Sequence, residues 1–441
     1  MSLRNTHQSV TELARFGGRA RRVCVAVVLA AASGLMACNQ LLDVNNPASV
    51  PTDALADPTL VPTLTAAAMQ TLQCGVMQYD ASTAMLAGEY WSGNGFVDNH
   101  PWEWRGIVQI KQAPGSCNYG RTTTAMGYYT PLQQARFQLD DAYNRLSNFT
   151  DAQVANRADM MATMRAYAGY AYLLLGEGMC TMTVDGGPEI TRDSTVEIAV
   201  SRFTDAITQA TAVNDQSILD MALVGRARAY LDLKKLPEAA ADAQLVPAKF
   251  VRVAEFTDGG ASNRENRFYN LTVRNNYLTV PPAYQNLTVN GVAGNVPDPR
   301  VQLVNTGKLS NDGVTPWWQQ LVYNKGSGGT PIPIASWNEA QLIYAEAVGG
   351  QAGFDAINAV RTANNVPTLA GPPPTGQAYT DLILEERRRQ LFAQGQRYGD
   401  MLRYNLPFQS GVNRKGQTYS DMTCTPLPDV ETQNNPNLKG P

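Results

Sequence analysis

The chain has 441 residues, with 35 Lys and Arg against 38 Asp and Glu, a formal net charge of −3 and two histidines. That length holds one large core or two to three domains. The mild acidity argues against nucleic acid or an anionic membrane surface as partner, since both require a basic face.

The N-terminus carries an address. Arg19, Arg21 and Arg22 precede an apolar run from Val23 to Ala32, and Leu35-Met36-Ala37-Cys38 follows. A positive flank, a short apolar core and small residues before a cut make a secretory signal. The run is too short to span a bilayer, which takes ~20 apolar residues. A cysteine directly after Leu-x-Ala resembles the lipobox of bacterial lipoproteins. The resemblance implies a signal peptide over residues 1–37, cleavage before Cys38 and lipidation of that cysteine. An ordinary signal whose cleavage site contains a Cys is the plainer alternative. Removing residues 1–37 leaves 30 basic against 37 acidic residues. Everything from Cys38 onward would then lie outside the cytoplasm, held by several acyl chains worth ~0.8 kcal/mol per buried CH₂.

Four further cysteines, Cys74, Cys117, Cys180 and Cys424, are an even number in a disulfide-permissive compartment. Two disulfides are expected, with three pairings open. None of the four lies in a Cys-x-x-Cys pattern, so zinc is not expected.

Residues 38–58 contain Asn45-Asn46-Pro47, Pro51 and Pro58 and read as an extended tether. A first helix is expected over 59–73. Residues 74–126 are rich in Gly, Trp and Asn without a sustained period, which predicts a long and functional loop. Helices follow at 129–147, 156–175, 195–213, 217–233 and 237–246. Leu223, Ala227, Tyr230, a turn at Lys234-Lys235 and Ala239 have the spacing of a tetratricopeptide helix–turn–helix. No strict 34-residue recurrence appears, and Arg226 stands where an apolar residue is commoner, so the repeats are degenerate. Residues 250–334 turn to Gly, Asn, Pro and Thr, with alternating runs at 271–274 and 277–280 that predict short strands between turns. Helices return at 336–348, 351–364 and, after Pro372-Pro373-Pro374, 377–403, with helical pairs grouped at about 129–246 and 336–403. Within the last helix Glu385 pairs with Arg389 and Glu386 with Gln390 at i, i+4, and the run 385–389 reads as a solvated or internally paired face. The tail, 405–441, reads as extended.

Three stretches near the C-terminus are similar to the SusD/RagB family of outer-membrane nutrient-binding lipoproteins. They are Trp337-Asn-Glu-Ala-Gln-Leu-Ile-Tyr-Ala-Glu-Ala347, Ala356-Ile-Asn-Ala-Val-Arg361, and Leu382-Ile-Leu-Glu-Glu-Arg-Arg-Arg-Gln-Leu391 running on to Gly395-Gln-Arg-Tyr-Gly-Asp-Met-Leu-Arg403. Pro426-Leu-Pro428 with Asn434-Asn-Pro-Asn-Leu438, and Leu41-Leu42-Asp43-Val44 after the lipid cysteine, suit the family's ends. Each motif is loose alone; the ordered set with a lipobox is more specific. The resemblance implies a mostly α fold, in which tetratricopeptide-like helix pairs form a single large SusD-like domain over 59–441 with long irregular loops and a few short strands. It implies a lipid-anchored, surface-exposed outer-membrane protein that captures an oligosaccharide, or in some relatives a peptide, for a TonB-dependent, SusC-like transporter, with no catalysis and no cofactor. The chain departs from the family at Gly176-Glu-Gly-Met-Cys180, where a Gly-Asp-x-Pro-type turn is usual, and at Cys424 beside the terminal Pro-x-Pro. Both departures fall in regions expected to pack together, which implies Cys180–Cys424 and leaves Cys74–Cys117.

Catalytic motifs are missing. After the signal the one histidine is His100, and no His-Glu-x-x-His, Gly-x-Ser-x-Gly or phosphate-binding glycine loop occurs. A secreted glycosidase remains conceivable, because carboxyl spacing is invisible in sequence. A periplasmic tetratricopeptide scaffold for envelope assembly is the other alternative; it would have short turns rather than long aromatic-bearing loops. Binding is better supported. Tyr90, Trp91, Trp102 and Trp104 crowd one loop, Trp317 and Trp318 another with Tyr323 close by, and Asn94, Asp98, Asn99 and Arg105 supply polar neighbours. Flat rings suit sugar C–H faces and amides suit hydroxyls, although the same rings could seal loops onto the helical body.

Overall fold

The computed structural model describes residues 54–96, 99–117, 126–259, 264–291, 294–323 and 326–438. The signal peptide, Cys38, most of the tether and Asp98 lie outside the described residues. Residues 54–57 begin with a 3₁₀ turn at Ala54–Ala56, and the compact body runs from Pro58 onward.

Among the described residues the body is helical with four small two-stranded sheets. Its central helix, Val61–Leu86, is longer than expected and takes in residues 74–86 of the expected loop. Its second half is buried on every side, Cys74 to Leu86 included, so it shows none of the polar face by which helices are read from sequence. Gly75 permits the fit: a Cβ there would stand 2.8 Å from the Leu132 side chain.

The helix pairs form as their sequences predict. Tyr129–Ser147 packs with Arg157–Gly178, and Arg192–Val213 with Gln216–Asp232, followed by Leu236–Ala243. Thr191 caps the Ser194 amide and Asp215 the Ile218 amide, which satisfies donors a helix start leaves free. Phe203 sets the spacing. A Cβ on Gly169 or Gly225 would lie 2.5 or 2.4 Å from its ring, so two neighbouring helices close on one aromatic because each presents hydrogen there. Arg226, out of place for an apolar pattern, forks onto Asp242 at 2.7 and 2.8 Å and joins two helices.

Ionic links run through the interior. Arg228 makes two 2.5 Å bonds to Glu177, Tyr79 donates to the same carboxylate at 3.1 Å, and Arg228 also reaches Glu339 at 3.5 Å. The Trp337–Val348 and Gly350–Ala363 helices pack against each other and, with Gln377–Gln390, close a second apolar cluster.

The helix expected over 377–403 is shorter, and the tail, expected to be extended, holds a short helix at Asp429–Asn434. The former stops at Gln390, and the chain turns through Ala393 (φ 59°) and Gly395 (φ 70°) before Gln396–Arg403. The 385–389 run, expected as a solvated or internally paired face, is internally paired only in part. Glu385 does pair with Arg389, at 2.7 Å, but Glu386, Arg387 and Arg389 are buried. Glu386 faces Arg300 and Arg361 rather than Gln390. Residues 271–274, expected as strand, lie in a short helical segment that runs over Arg267–Arg274.

Among the described residues eight short strands, numbered in chain order, pair antiparallel. β1 (Trp91–Ser92) pairs with β5 (Leu278–Thr279) and β2 (Thr181–Met182) with β3 (Ile190–Thr191). β4 (Val251–Ala254) pairs with β8 (Ile332–Ser336), and β6 (Leu303–Leu309) with β7 (Pro316–Gln320). Disulfides join Cys74 to Cys117 and Cys180 to Cys424. The second holds the tail along the end of the Arg157–Gly178 helix. There the Cys180 amide donates to the Thr425 carbonyl at 2.9 Å and the Thr425 amide to the Gly178 carbonyl at 3.1 Å.

Candidate functional site

Segments far apart in sequence meet around β1. Trp91 opposes Thr279 of β5. The Thr279 hydroxyl accepts from the Trp318 amide at 2.8 Å and donates to the Pro316 carbonyl at 2.8 Å, which brings β7 alongside. The 411–420 hairpin completes the face. Arg414 lies over the Trp91 ring at 4.5 Å and bonds to Glu103 and the Ser92 carbonyl. Lys415 pairs with Asp312 at 2.8 Å and reaches the Asn94 carbonyl at 2.6 Å. Burial raises Asp312, but its bonds to Lys415, Thr315 and Val314 win and hold that carboxyl well below the usual range.

The face carries rings. Trp91 and Trp104 are half-buried. Phe96 is 40% exposed and meets Tyr277 edge-on at 5.1 Å. The Trp104 indole donates to His100 Nδ1 at 3.1 Å. Burial, and then Lys415, lowers the His100 pKa from its ordinary 6.5, so the imidazole stays a neutral acceptor above that pH. Half-buried Trp317 donates from its indole to the Thr272 carbonyl at 3.2 Å.

Other expected site residues are placed in the framework. Trp102 is 2% exposed and packs on Tyr128. Tyr90 is fully buried between Phe268 and Phe392, and Tyr323 is buried against Phe268. Asn94 is fully buried, donating to the Tyr277 carbonyl at 3.0 Å and accepting the Phe96 amide at 2.8 Å. Asn99 is fully buried as well. Arg105 is 3% exposed, bonds to the Ser420 and Gln409 carbonyls, and stacks by Phe408 and Tyr419. These residues stiffen the loop and offer no surface to a ligand. Trp317 and Trp318 are also divided, because successive strand residues point to opposite faces. Trp318 lines a groove of about 590 Å³ with Leu287, Val301 and Leu303.

Sequence reading did not pick out Phe96, Glu103, Tyr277, Asp312, Arg414 or Lys415 as site residues. No spacing signal marks them, since they meet only through tertiary contacts between segments up to about 320 residues apart. Among the described residues no group of three or more His, Cys, Asp or Glu could hold a metal ion. No described helix is long and apolar enough to cross a membrane.

Known proteins bear on this architecture. The model of the SusD family matches residues 257–439. No curated protein matches the chain in sequence. Solved structures match its fold. A SusD superfamily protein from Parabacteroides distasonis is 13% identical, with TM-score 0.62, over 89% of this chain and 99% of its own. A SusD-like carbohydrate binding protein from Bacteroides vulgatus is 13% identical, with TM-score 0.63, over 87% and 97%. Surface glycan-binding protein A from Bacteroides thetaiotaomicron, solved with laminarihexaose, is 14% identical, with TM-score 0.62, over 86% and 98%. The family's model thus matches the C-terminal part of this chain, and the helical body shares the fold of SusD-type structures over most of its length.

Proposed function

We propose that this protein is a lipid-anchored, surface-exposed outer-membrane receptor. It captures a glycan on the face around Trp91 and delivers it to a TonB-dependent transporter, without catalysis. The observation that carries the reading is the rigid presentation of half-buried Trp91, in β1, and half-buried Trp104, at the end of the short helix His100–Trp104. Arg414 and Glu103 clamp the segment that carries both, and Asn94 and Arg105 brace it from within. Preorganised rings bind without first losing side-chain freedom, and the neutral His100 and the ion pairs around them can meet hydroxyl groups. Trp317 is proposed as a further contact. The laminarihexaose-bound relative supports a glycan as the ligand class, and the Leu-Met-Ala-Cys38 pattern supports the anchor.

Calorimetry against a glycan panel tests the site. Trp91→Ala is expected to weaken binding at least tenfold; unchanged affinity in both Trp91→Ala and Trp317→Ala would remove this face from the reading. Protease shaving of intact cells tests location: surface exposure predicts cleavage, and protection throughout would argue for a periplasmic scaffold instead.

A further inference from the structure

A second cleft is built on a different part of the body. A cavity of about 680 Å³ is lined by Trp337, Asn338, Asn364, Gln390, Gln394 and Phe250, among others. It shares Pro299, Gln302 and Leu321 with the groove of about 590 Å³ beside Trp318. Both volumes fall within the ~300–1,000 Å³ of small-ligand sites. Each lobe therefore has a tryptophan in its wall, and the two lobes meet at Pro299, Gln302 and Leu321.

The polar lining of the Trp337 lobe is mostly neutral amide. Asn338 and Asn364 exchange side-chain bonds at 3.4 and 3.2 Å, and Gln390 Nε2 donates to Asn364 Oδ1 at 3.2 Å. Gln390 Oε1 is buried with no hydrogen-bond partner, an acceptor that a ligand hydroxyl would satisfy. Charge is largely cancelled. Arg300 is held by Asp298 at 2.7 Å and by Glu386 at 2.6 Å, which leaves Lys249 at the rim, and no carboxylate lines this lobe. Indole faces, amides able both to donate and to accept, and little free charge select a neutral, hydroxyl-rich ligand over a charged one. A peptide would require partners for its charged ends, which this lining supplies poorly.

We propose that the Trp318–Trp337 cleft is a second carbohydrate site that binds a neutral oligosaccharide, separate from the Trp91 face. The proposal rests on the reading of the protein as a glycan receptor, and its test separates the two. The full chain, solubilised in detergent, is titrated calorimetrically with laminarihexaose, maltohexaose and xylohexaose. A sugar that fits both sites is expected to bind with two equivalents. The Trp91→Ala/Trp317→Ala double variant is expected to keep one of them. Trp337→Ala is expected to weaken the other at least tenfold, and so is Asn338→Ala, a small change at a half-exposed position that keeps the fold if the tryptophan variant does not. One equivalent only, lost in the double variant and untouched in Trp337→Ala and Asn338→Ala, overturns the second site and leaves the Trp91 reading standing. Binding that depends on Trp337 and Asn338 but survives the double variant unchanged supports the cleft and ends the Trp91 reading. Failure of all three sugars to bind, or retention of trialanine in their place at Trp337, overturns the proposal.

Discussion

Replacing Glu386 with Gln tests the buried ionic network behind the cleft. The carboxylate is 1% exposed and accepts from Arg300 at 2.6 Å, Arg361 at 2.7 Å and Asn290 at 2.9 Å. The two arginines are not equivalent. Arg300 keeps Asp298 when Glu386 is neutralised, whereas the other bonds of Arg361 go to the Pro367 and Asn290 carbonyls and the Asn290 amide oxygen, all uncharged. Burial already lowers the Arg361 pKa from its ordinary 12.5 with Glu386 in place. Removing one partner of a buried pair costs about 3–5 kcal/mol, because the remaining charge stays desolvated. The expected outcome is a loss of that size in urea unfolding followed by tryptophan fluorescence. The Glu386→Gln/Arg361→Met double variant should lose less than Glu386→Gln alone, since it leaves no orphan cation. A loss below about 1 kcal/mol, or a double variant worse than the sum of the single changes, would refute the assignment of the cost to an uncompensated Arg361.

Other outcomes follow from the same physics. Burial pushes the Glu89 carboxyl from its ordinary 4.5 to about 7, against the pull of its hydrogen bond from the Ala393 amide. The native state therefore holds this proton more tightly than the unfolded chain, and stability falls as pH rises from 4.5 through about 7. At ~1.4 kcal/mol per pH unit the contribution is roughly 3 kcal/mol; Glu89→Gln should flatten that slope in unfolding midpoints measured from pH 5 to 8, and an unchanged slope would exclude Glu89 as its source. Asp298 behaves oppositely. Burial raises it, but Arg300 and Arg389 win and bring it to about 2, so its contribution is present above the ordinary 3.8 and is lost as pH falls through 2. Asp298→Asn should therefore reduce acid sensitivity in that window. Gly225→Ala forces a Cβ to 2.4 Å from Phe203 and should destabilise by about 1–3 kcal/mol, with Phe203→Leu in the same chain recovering part of the loss. The Cys180–Cys424 link closes 244 residues; Cys180→Ser/Cys424→Ser should lose about 2–5 kcal/mol, and non-reduced mass spectrometry of the parent should find that linked peptide.

The helix pairs were legible because their signals are local. Thr191, Asp215 and Ser336 sit at helix starts and cap them, and the small and aromatic residues of 166–172 recur at helical spacing and are buried. The ordered C-terminal motifs are likewise written in consecutive residues. The second half of the Val61–Leu86 helix was not legible, since a segment surrounded by protein carries no amphipathic stripe. In the charged run at 385–389 only the internal Glu385–Arg389 pair was legible: the partners Asp298, Arg300, Arg361 and Asp400 come from elsewhere in the chain, and no local pattern announces them.

The sequence by itself determined that two aromatic-bearing loop regions ride on a mostly helical body. Only the tertiary structure decided which rings remain partly open to a ligand. Tyr128 covers Trp102, while Phe268 and Phe392 enclose Tyr90. Trp91 keeps a half-buried place under Arg414, 323 positions away in the chain. A residue's type sets what its ring can bind, but its exposure depends on which distant surfaces the folded chain brings against it.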